Sequence, residues 1–197
     1  MARKFGLPLA VFALLLAVPV LSAEPPKMTP EQQKEMEAWM KAGTPGTQHK
    51  DLASTAGDYA VTVKSWESKD GPAQESAGTA TRSMMLDGRV LAEEFHGDMM
   101  GMPFTGHGMM GYDNTKGKYW STWMDSMSTG MMASEGTCDA SKNCSFTGTM
   151  MDPVKNKQVT LKMKTAWKSP SVEVFEMWGP GKDGKEMKMM EITYTKK

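Results

Sequence analysis

Two of the three histidines in the chain lie in one short stretch, HGDMMGMPFTGHGMMGYDN, which runs from His96 to Asn114 and is rich in methionine and glycine. Thioether sulfur and imidazole nitrogen together form a ligand set that suits copper. The stretch therefore raises the hypothesis of a soft-metal site. Whether its side chains can converge depends on how the two halves of the stretch pair.

Alternating apolar and polar residues on both sides of Gly101 and Met102 predict a hairpin that turns there. Directly opposed Cβ atoms in such a hairpin lie about 5 Å apart. With the turn centred there, three pairs lie opposite one another on one face: His96 with His107, Asp98 with Thr105, and Glu94 with Met109. We expect copper to be the cofactor if this register forms, held by His96, His107, Asp98 and Met109, and a slip in register would abolish the site.

Three glycines in this stretch, Gly106, Gly108 and Gly111, also satisfy the dinucleotide-binding pattern GxGxxG. That pattern needs a strand before it and a helix after it, whereas here it lies within a predicted strand that leads to a turn. Dinucleotide binding is therefore not expected. The glycines instead predict a bend in the strand or a close approach of neighbouring groups.

The cysteines, Cys138 and Cys144, flank five turn-forming residues in EGTCDASKNCSF. In an oxidising compartment such a pair is expected to form a disulfide across the two arms of a hairpin. Closing so short a loop stabilises the fold by about 2 kcal/mol. A redox or metal-binding role is the alternative, but the CxxC spacing and a neighbouring histidine are both missing.

Methionine is unusually abundant, with 22 residues in the chain, whereas the leucines beyond the first 23 residues are Leu52, Leu86, Leu91 and Leu161. Much of the core is therefore expected to consist of methionine. Successive strand residues point to opposite faces, so each Met-Met pair places one thioether inside and one outside. The outer methionines are candidates for copper binding or for reversible scavenging of oxidants.

The amino terminus has the pattern of a secretory signal peptide: basic Arg3 and Lys4, an apolar run from about residue 7 to 21, and small residues Ser22 and Ala23. We expect cleavage near Ala23, a periplasmic or secreted protein, and no stable membrane insertion afterwards. The chain has 23 basic and 23 acidic residues. Removing Arg3 and Lys4 leaves a slight acidic excess, which argues against nucleic acid as a partner.

Residues 24–56 are predicted to be a helical segment and linker. Thr29 can cap a helix, Pro30 suits its first turn, Gln32 can reach back to the cap, and Gly43 can end it. Met36, Trp39 and Met40 form an apolar stripe that predicts packing of this helix on the main domain. QHKDLAS predicts one or two further helical turns.

Residues 57–197 alternate with period two and carry turn residues at short intervals, which predicts a mainly β domain. We expect ten strands near 58–67, 75–86, 89–98, 104–113, 117–125, 128–138, 144–151, 157–168, 171–179 and 186–195. Hairpin-length connections predict an antiparallel up-and-down meander, and so many strands favour closure into a barrel. A two-sheet sandwich is the alternative.

No nucleophilic triad, phosphate loop or metalloprotease motif is found, so an enzyme is not expected; Asp125 beside Trp123 is the least implausible catalytic start. A closed barrel can instead enclose a small apolar or amphipathic ligand. Candidate lining residues are Trp66, Phe104, Tyr112, Trp123, Asp125, Phe175 and Tyr194. Docking of a protein partner through the N-terminal helix is a further alternative.

Several motifs together resemble a secreted bacterial family catalogued as domain of unknown function 1579. They are MGMPFTG at 100–106, GYDN at 111–114, KY at 118–119, TWMDSM at 122–127, DP at 152–153 and MEITY at 190–194. The resemblance runs from about His49 to the carboxyl terminus. It implies a calycin-type, lipocalin-like barrel and no established function, so it supplies no catalytic residue.

Overall fold

A computed structural model describes residues 28–99, 101–154 and 156–197 of the chain. The predicted signal peptide, residues 1–23, lies outside the described residues. Two helices precede ten strands within them.

Helix α1 spans Pro30–Gly43 and begins and ends where the sequence predicts. Thr29 caps it reciprocally: the Gln32 amide donates to Thr29 Oγ1 at 3.3 Å, and the Thr29 amide donates to Gln32 Oε1 at 2.9 Å. Its C-terminal end is held to the barrel by polar contacts. Arg89 Nε donates to the Gly43 carbonyl at 3.0 Å, and Asn114 Nδ2 donates to the Ala42 carbonyl at 2.9 Å.

The apolar stripe of α1 does not pack on the barrel, so that prediction is wrong. No residue of α1 is buried, and Trp39 is 77% exposed. The stripe has too little apolar area to outweigh the conformational entropy lost when the helix is ordered against the barrel wall. The polar contacts of α1 with the barrel lie at its C-terminal end instead. Within the described residues, no helix is long and apolar enough to cross a membrane.

Helix α2 spans Thr47–Ser54 and covers one end of the barrel, here called the helix end. Leu52 is buried and joins a core cluster with Leu91 and Tyr119. His49 is also buried: its Nδ1 accepts from the Gly46 amide at 3.0 Å, and its ring meets the edge of Tyr112.

The ten strands confirm the predicted meander. They are β1 Gly57–Ser65, β2 Gln74–Met85, β3 Val90–Met99, β4 Met102–Asp113, β5 Lys118–Asp125, β6 Met132–Cys138, β7 Cys144–Asp152, β8 Lys157–Ser169, β9 Val172–Pro180 and β10 Glu186–Lys196. Burial alternates with period two along strands such as β2, and register shifts interrupt the pairing between Lys188 and Met190 and between Trp167 and Ser169.

The sheet is a closed barrel in which every strand pairs antiparallel with its neighbours in sequence. Closure places β1 between β2 and β10, with Tyr59 opposite Ala80 on one side and Lys196 on the other. Each described strand is therefore paired on both sides, as closure of a barrel requires. The closed barrel confirms the predicted fold class, and the sandwich alternative is wrong.

The interior is built mainly from aromatic and branched residues rather than from methionine. Among the buried apolar side chains, the methionines are Met163 and Met187, whereas Tyr59, Phe95, Phe104, Tyr119, Phe146 and Tyr194 are all buried. Met84, Met110 and Met132 pack against this core from partly buried positions. The prediction of a largely methionine core is therefore wrong, because aromatic residues at inward positions fill more volume for each residue.

Candidate functional site

The barrel surrounds a cavity of about 630 Å³ that opens toward solvent. Its wall includes aromatic and aliphatic side chains from widely separated strands: Phe95, Phe104, Trp123, Phe175, Ile192 and Tyr194. Pockets for small molecules commonly measure roughly 300–1,000 Å³ and combine an apolar wall with a few polar groups. The interior therefore has the size and lining of a ligand site.

A charged cluster centred on Arg82 lies in the wall of this cavity. Arg82 Nε donates to Glu93 Oε2 at 2.6 Å, and Arg82 Nη1 donates to Glu173 Oε2 at 2.6 Å. Tyr194 Oη donates to the other oxygen of Glu93, Oε1, at 3.1 Å. The guanidinium carbon lies 4.8 Å from the ring centroid of Tyr59 and 4.4 Å from that of Tyr194. Charge-assisted hydrogen bonds and aromatic faces together hold the guanidinium in place.

The strand register explains how this cluster forms. Arg82 on β2 lies directly opposite Glu93 on β3, and Glu173 on β9 lies directly opposite Tyr194 on β10. Strand β1, which carries Tyr59, separates the two pairs. The cluster thus spans the seam where the first strand meets the last, and it ties together parts of the chain that are remote in sequence.

Burial and charge shift the pKa values of the groups in the cluster. Burial alone disfavours the charged guanidinium, but the carboxylates of Glu93 and Glu173 outweigh it and hold the pKa of Arg82 well above its ordinary value. Burial, with the nearby charge of Glu93, raises the pKa of Tyr194 well above its ordinary value. Arg82 is therefore charged and Tyr194 is neutral at physiological pH.

Two further polar pairs lie beyond this cluster, and Ser121, Trp123 and Asp125 from them line the wall. Trp123 Nε1 donates to Asp125 Oδ2 at 2.9 Å, and the hydroxyl groups of Ser121 and Ser134 lie 2.6 Å apart. Asp125 also accepts from the Met127 amide at 3.0 Å, as a turn-capping residue does. These bonds occupy Asp125 with structural partners, and no paired acid or base in them indicates catalysis.

Five of the candidate lining residues lie in the cavity wall: Phe104, Trp123, Asp125, Phe175 and Tyr194. Trp66 and Tyr112 lie elsewhere. Trp66 follows the end of β1 and places its ring 5.5 Å from Lys188 Nζ, beside Glu176 and Glu191, which Lys188 binds. The period-two pattern that suggested an inward Trp66 ends with the strand at Ser65.

Tyr112 points inward but lies at the helix end. Its ring meets Tyr119 edge-on, with 4.9 Å between ring centroids, and packs against the cluster that contains Leu52. Tyr112 therefore helps to close the barrel under α2. Contact of any of these residues with a ligand stays a prediction.

The predicted pairing of the two histidines is wrong. His96 lies opposite Thr105, and His107 lies opposite Glu94. The hairpin turns between Met99 and Met102, one position earlier than expected, so every partner moves by two residues along β4. His96 Nε2 lies 2.8 Å from Glu94 Oε1 in an exposed pair on the outer wall.

The remaining predicted copper ligands are also separated. Asp98, expected opposite Thr105, lies opposite Pro103, and its Oδ1 accepts from the Gly101 amide at 2.7 Å. Met109, expected opposite Glu94, lies opposite Ala92. Within the described part of the chain, no group of three or more His, Cys, Asp or Glu residues is placed to hold a metal ion. The copper hypothesis required these four side chains to lie close together in one register, and that register does not form.

The predicted disulfide is confirmed. Cys138 and Cys144 are bonded and lie directly opposite one another at the start of the β6–β7 hairpin. The Asp139 carboxylate organises the turn between them: its Oδ1 accepts from the amides of Ser141 and Asn143 at 2.8 and 2.9 Å. These hydrogen bonds lower the pKa of Asp139, with the Asn143 bonds as the largest cause.

Exposed methionines gather at the end of the barrel opposite α2, here called the loop end. Six lie on β4, β5, β7 and the β5–β6 connection near that end: Met102, Met124, Met127, Met131, Met150 and Met151. The expectation of one inward and one outward thioether fits Met84 with Met85 and Met131 with Met132. It fails for Met150 and Met151, which are both exposed because β7 ends there.

The glycines of the GxGxxG pattern make room for tryptophan rings, as the expectation of close approach predicts. A Cβ on Gly106 would lie 2.2 Å from Cζ2 of Trp123, and a Cβ on Gly111 would lie 2.4 Å from Cζ2 of Trp120. Trp123 lies opposite Gly108 on the neighbouring strand, and Trp120 lies opposite Gly111. The pattern therefore serves packing.

The charged cluster was not among the residues predicted from the sequence, although a signal for it exists. On β2, Arg82 is one of the alternate residues that point inward, together with Ala80 and Met84. On β3, Glu93 is likewise one of the inward residues, together with Leu91 and Phe95. A charged residue in the apolar phase of a strand indicates a paired buried group. Only closure of the barrel identifies the partner.

A second depression, of about 710 Å³, lies on the outer wall beside the disulfide. Its lining is largely polar and includes Thr137, Asp139, Asn143, Lys164, Lys168 and Glu176. A lining of this kind does not favour an apolar ligand. The interior cavity is therefore the better candidate site.

These features define the class of protein: a closed ten-stranded antiparallel β-barrel whose interior has room for a small molecule. The profile of the family described as "Protein of unknown function (DUF1579)" matches residues 44–196, and the chain belongs to this family. The family resemblance is thereby confirmed, and the closed barrel is consistent with a calycin-like description.

Comparison with solved structures finds similarity to a redesigned β-barrel. That protein shares 16% sequence identity over 74% of this chain and 94% of its own, with a TM-score of 0.39. No curated protein matches the chain.

Proposed function

We propose that this protein is an exported binding protein that holds a small apolar or amphipathic ligand inside its barrel. The observation that carries the proposal is the cavity of about 630 Å³ with its mainly aromatic and aliphatic wall. The signal-peptide pattern of residues 1–23 supports action outside the cytoplasm. Partly buried Met99, Met110 and Met177 in the wall can adapt their rotamers to ligands of different shape.

The first test is native mass spectrometry of the protein purified from its own compartment, compared with the denatured mass of the same sample. An organic mass increment that disappears on denaturation supports a ligand carrier. Identical masses leave no tightly held ligand. The purified protein is then titrated with N-phenyl-1-naphthylamine, a neutral apolar dye whose fluorescence rises in an apolar site. No rise in fluorescence at any concentration contradicts the proposal.

A matched pair of variants locates the binding. Ser76 lines the cavity from β2, and its neighbour Ala77 points to the outer face. Ser76→Trp places an indole in the cavity and is expected to weaken dye binding about tenfold or more, since the space that the dye fills is lost. Ala77→Trp adds the same group outside and should leave binding unchanged. Equal effects of the two substitutions would show that the dye binds elsewhere.

A second candidate function, reversible scavenging of oxidants, is favoured by the six exposed methionines at the loop end. Thioethers at such positions oxidise to sulfoxides that can be repaired. The test replaces all six with leucine and measures survival of the producing cells in hypochlorite. Replacement of Met28, Met36 and Met40, which are exposed near and on α1, is the control. Equal survival with both variants contradicts this function.

A further inference from the structure

The cavity wall carries far more acid than base. Seven carboxylates line it, Asp51, Glu75, Glu93, Asp98, Asp125, Asp139 and Glu173, against two cationic residues, Arg82 and Lys142. The whole chain has equal numbers of acidic and basic residues. Glu75, Asp98 and Asp139 are exposed at the ends of the barrel, so the acidic residues inside it are Glu93, Asp125 and Glu173, against Arg82 as the basic residue among the interior lining.

Some of these charges are balanced locally. Lys142 Nζ lies 3.9 Å from Asp51, and Lys64 Nζ lies 3.3 Å from Glu75, in exposed pairs at the ends of the barrel. The buried cluster is different. Arg82 faces both Glu93 and Glu173, so one guanidinium serves two carboxyl groups.

Glu173 has fewer hydrogen-bond donors than Glu93. Both oxygens of Glu93 accept hydrogen bonds, one from Arg82 and one from Tyr194. Glu173 is 6% exposed and lines the cavity. Within the described residues its carboxylate is hydrogen-bonded through Oε2 only, by Arg82. Its other oxygen, Oε1, keeps its capacity to accept a donor from a molecule in the cavity.

The same geometry disfavours an anionic ligand. Nε and Nη1 of Arg82 are already engaged by carboxylates, and the rings of Tyr59 and Tyr194 lie against the guanidinium. An incoming carboxylate would compete with Glu93 and Glu173 for the guanidinium.

On these grounds we propose that the ligand is an apolar molecule with a protonated amine, whose N–H groups donate to Glu173 while its tail fills the aromatic part of the cavity. This inference rests on the proposed function, since it names the head group that the same cavity selects. A buried carboxylate that lacks a full set of donors is stabilised by a charged donor more than by a neutral one.

The experiment compares three twelve-carbon probes that differ only in the head group: dodecylammonium, dodecanol and dodecanoate. Each displaces N-phenyl-1-naphthylamine from the intact mature protein at pH 7, below its micelle concentration. Dodecylammonium is expected to bind about tenfold more tightly than dodecanol, and dodecanoate most weakly. If dodecanol or dodecanoate binds as tightly as dodecylammonium, the inference is overturned and the proposed function stands. If neither the dye nor any probe binds, both are overturned.

Variants test the role of Glu173 in this preference. Glu173→Gln keeps the shape and removes the charge, so the preference for dodecylammonium over dodecanol should fall about tenfold. Glu94→Gln removes a carboxylate from the outer face of β3 and should leave the preference unchanged. Thermal melts check that both variants fold. If Glu173→Gln does not fold, the comparison of the three probes on the unmodified protein decides whether the cavity prefers an amine. A preference that survives in folded Glu173→Gln would contradict the assignment to this residue.

Discussion

Arg82 and Glu173 are joined by a 2.6 Å hydrogen bond although 91 residues separate them in the chain. The bond crosses β1 and β10, the strands that close the barrel. Because Arg82 also binds Glu93 on the adjacent strand, one side chain links both sides of the closure. Stability of the closed barrel should therefore depend strongly on this guanidinium.

Replacing Arg82 with methionine tests this dependence. The variant leaves Glu93 and Glu173 buried without their cation, so the free energy of unfolding should fall by about 3–5 kcal/mol. Urea denaturation followed by tryptophan fluorescence measures the change. Arg89→Met, at an exposed arginine in the β2–β3 turn, is the control and should cost less than about 1 kcal/mol. Similar losses in the two variants would show that the buried cluster does not stabilise closure.

The raised pKa of Tyr194 predicts a loss of stability in alkali. Folded Tyr194 keeps its proton above pH 10.0, the ordinary tyrosine value, whereas unfolded Tyr194 releases it. Above that pH the unfolded state binds fewer protons than the folded state, so stability is full below pH 10 and falls as the pH rises. Urea midpoints between about pH 9 and pH 11.5 measure the slope.

Tyr194→Phe should make this alkaline slope shallower, while lowering stability at pH 7 because Glu93 loses its donor. Part of the slope will remain, since burial also raises the pKa values of Tyr59 and Tyr119. Below pH 9 the free energies of unfolding of the two proteins should change with pH in parallel. An unchanged slope above pH 10 would rule out Tyr194 as a source of alkaline sensitivity.

The sequence predicts the strands well because each strand is marked locally. Inward residues such as Tyr59 and Val61 alternate with outward ones, and turns carry glycine or aspartate. The register of the β3–β4 hairpin was harder to predict. Gly101 adopts a φ of +79°, so it belongs inside the turn, and Met102 is already the first paired residue of β4. Moving the turn by one position keeps every side chain on its predicted face but changes every partner.

The functional site was less predictable than the fold because its contacts are not local. The alternation of polar and apolar residues along each strand is enough to predict that Phe104, Trp123 and Phe175 point inward. That prediction does not depend on distant partners. The pairing of Arg82 with Glu173 exists only after ten strands have closed. A single sequence predicts whether a strand residue points inward or outward. It does not predict which residue lies next to it across the closure of the barrel.

Close packing between Gly106 and Trp123 predicts a cost for the smallest enlargement of that glycine. A Cβ at residue 106 would lie 2.2 Å from Trp123 Cζ2, so the indole or the strand must move. Gly106→Ala should destabilise the barrel by about 1–3 kcal/mol and shift the tryptophan emission. Gly43→Ala is the control, because a Cβ there meets nothing within 4 Å.

The same clash can be isolated by a double-mutant cycle. In a Trp123→Leu background the side chain that meets the new Cβ is gone, so Gly106→Ala should cost much less than it does beside the native indole. Urea denaturation of the four proteins gives the coupling free energy. Equal costs in both backgrounds would place the effect of Gly106→Ala in the backbone rather than in contact with Trp123.

The two N-terminal helices are expected to contribute unequally to stability. A chain that begins at Thr44 loses α1, which buries no residue, and should keep its free energy of unfolding within about 1 kcal/mol of a chain that begins at Glu24. A chain that begins at Gly57 also loses buried Leu52 and should be weaker by at least the cost of a buried leucine, about 2–5 kcal/mol. Urea denaturation compares both with the chain that begins at Glu24. Because Leu52 lines the cavity, the shorter chain should also release the dye faster, whereas the chain from Thr44 should not. Faster release from both chains would mean that α1 as well as α2 limits access to the interior.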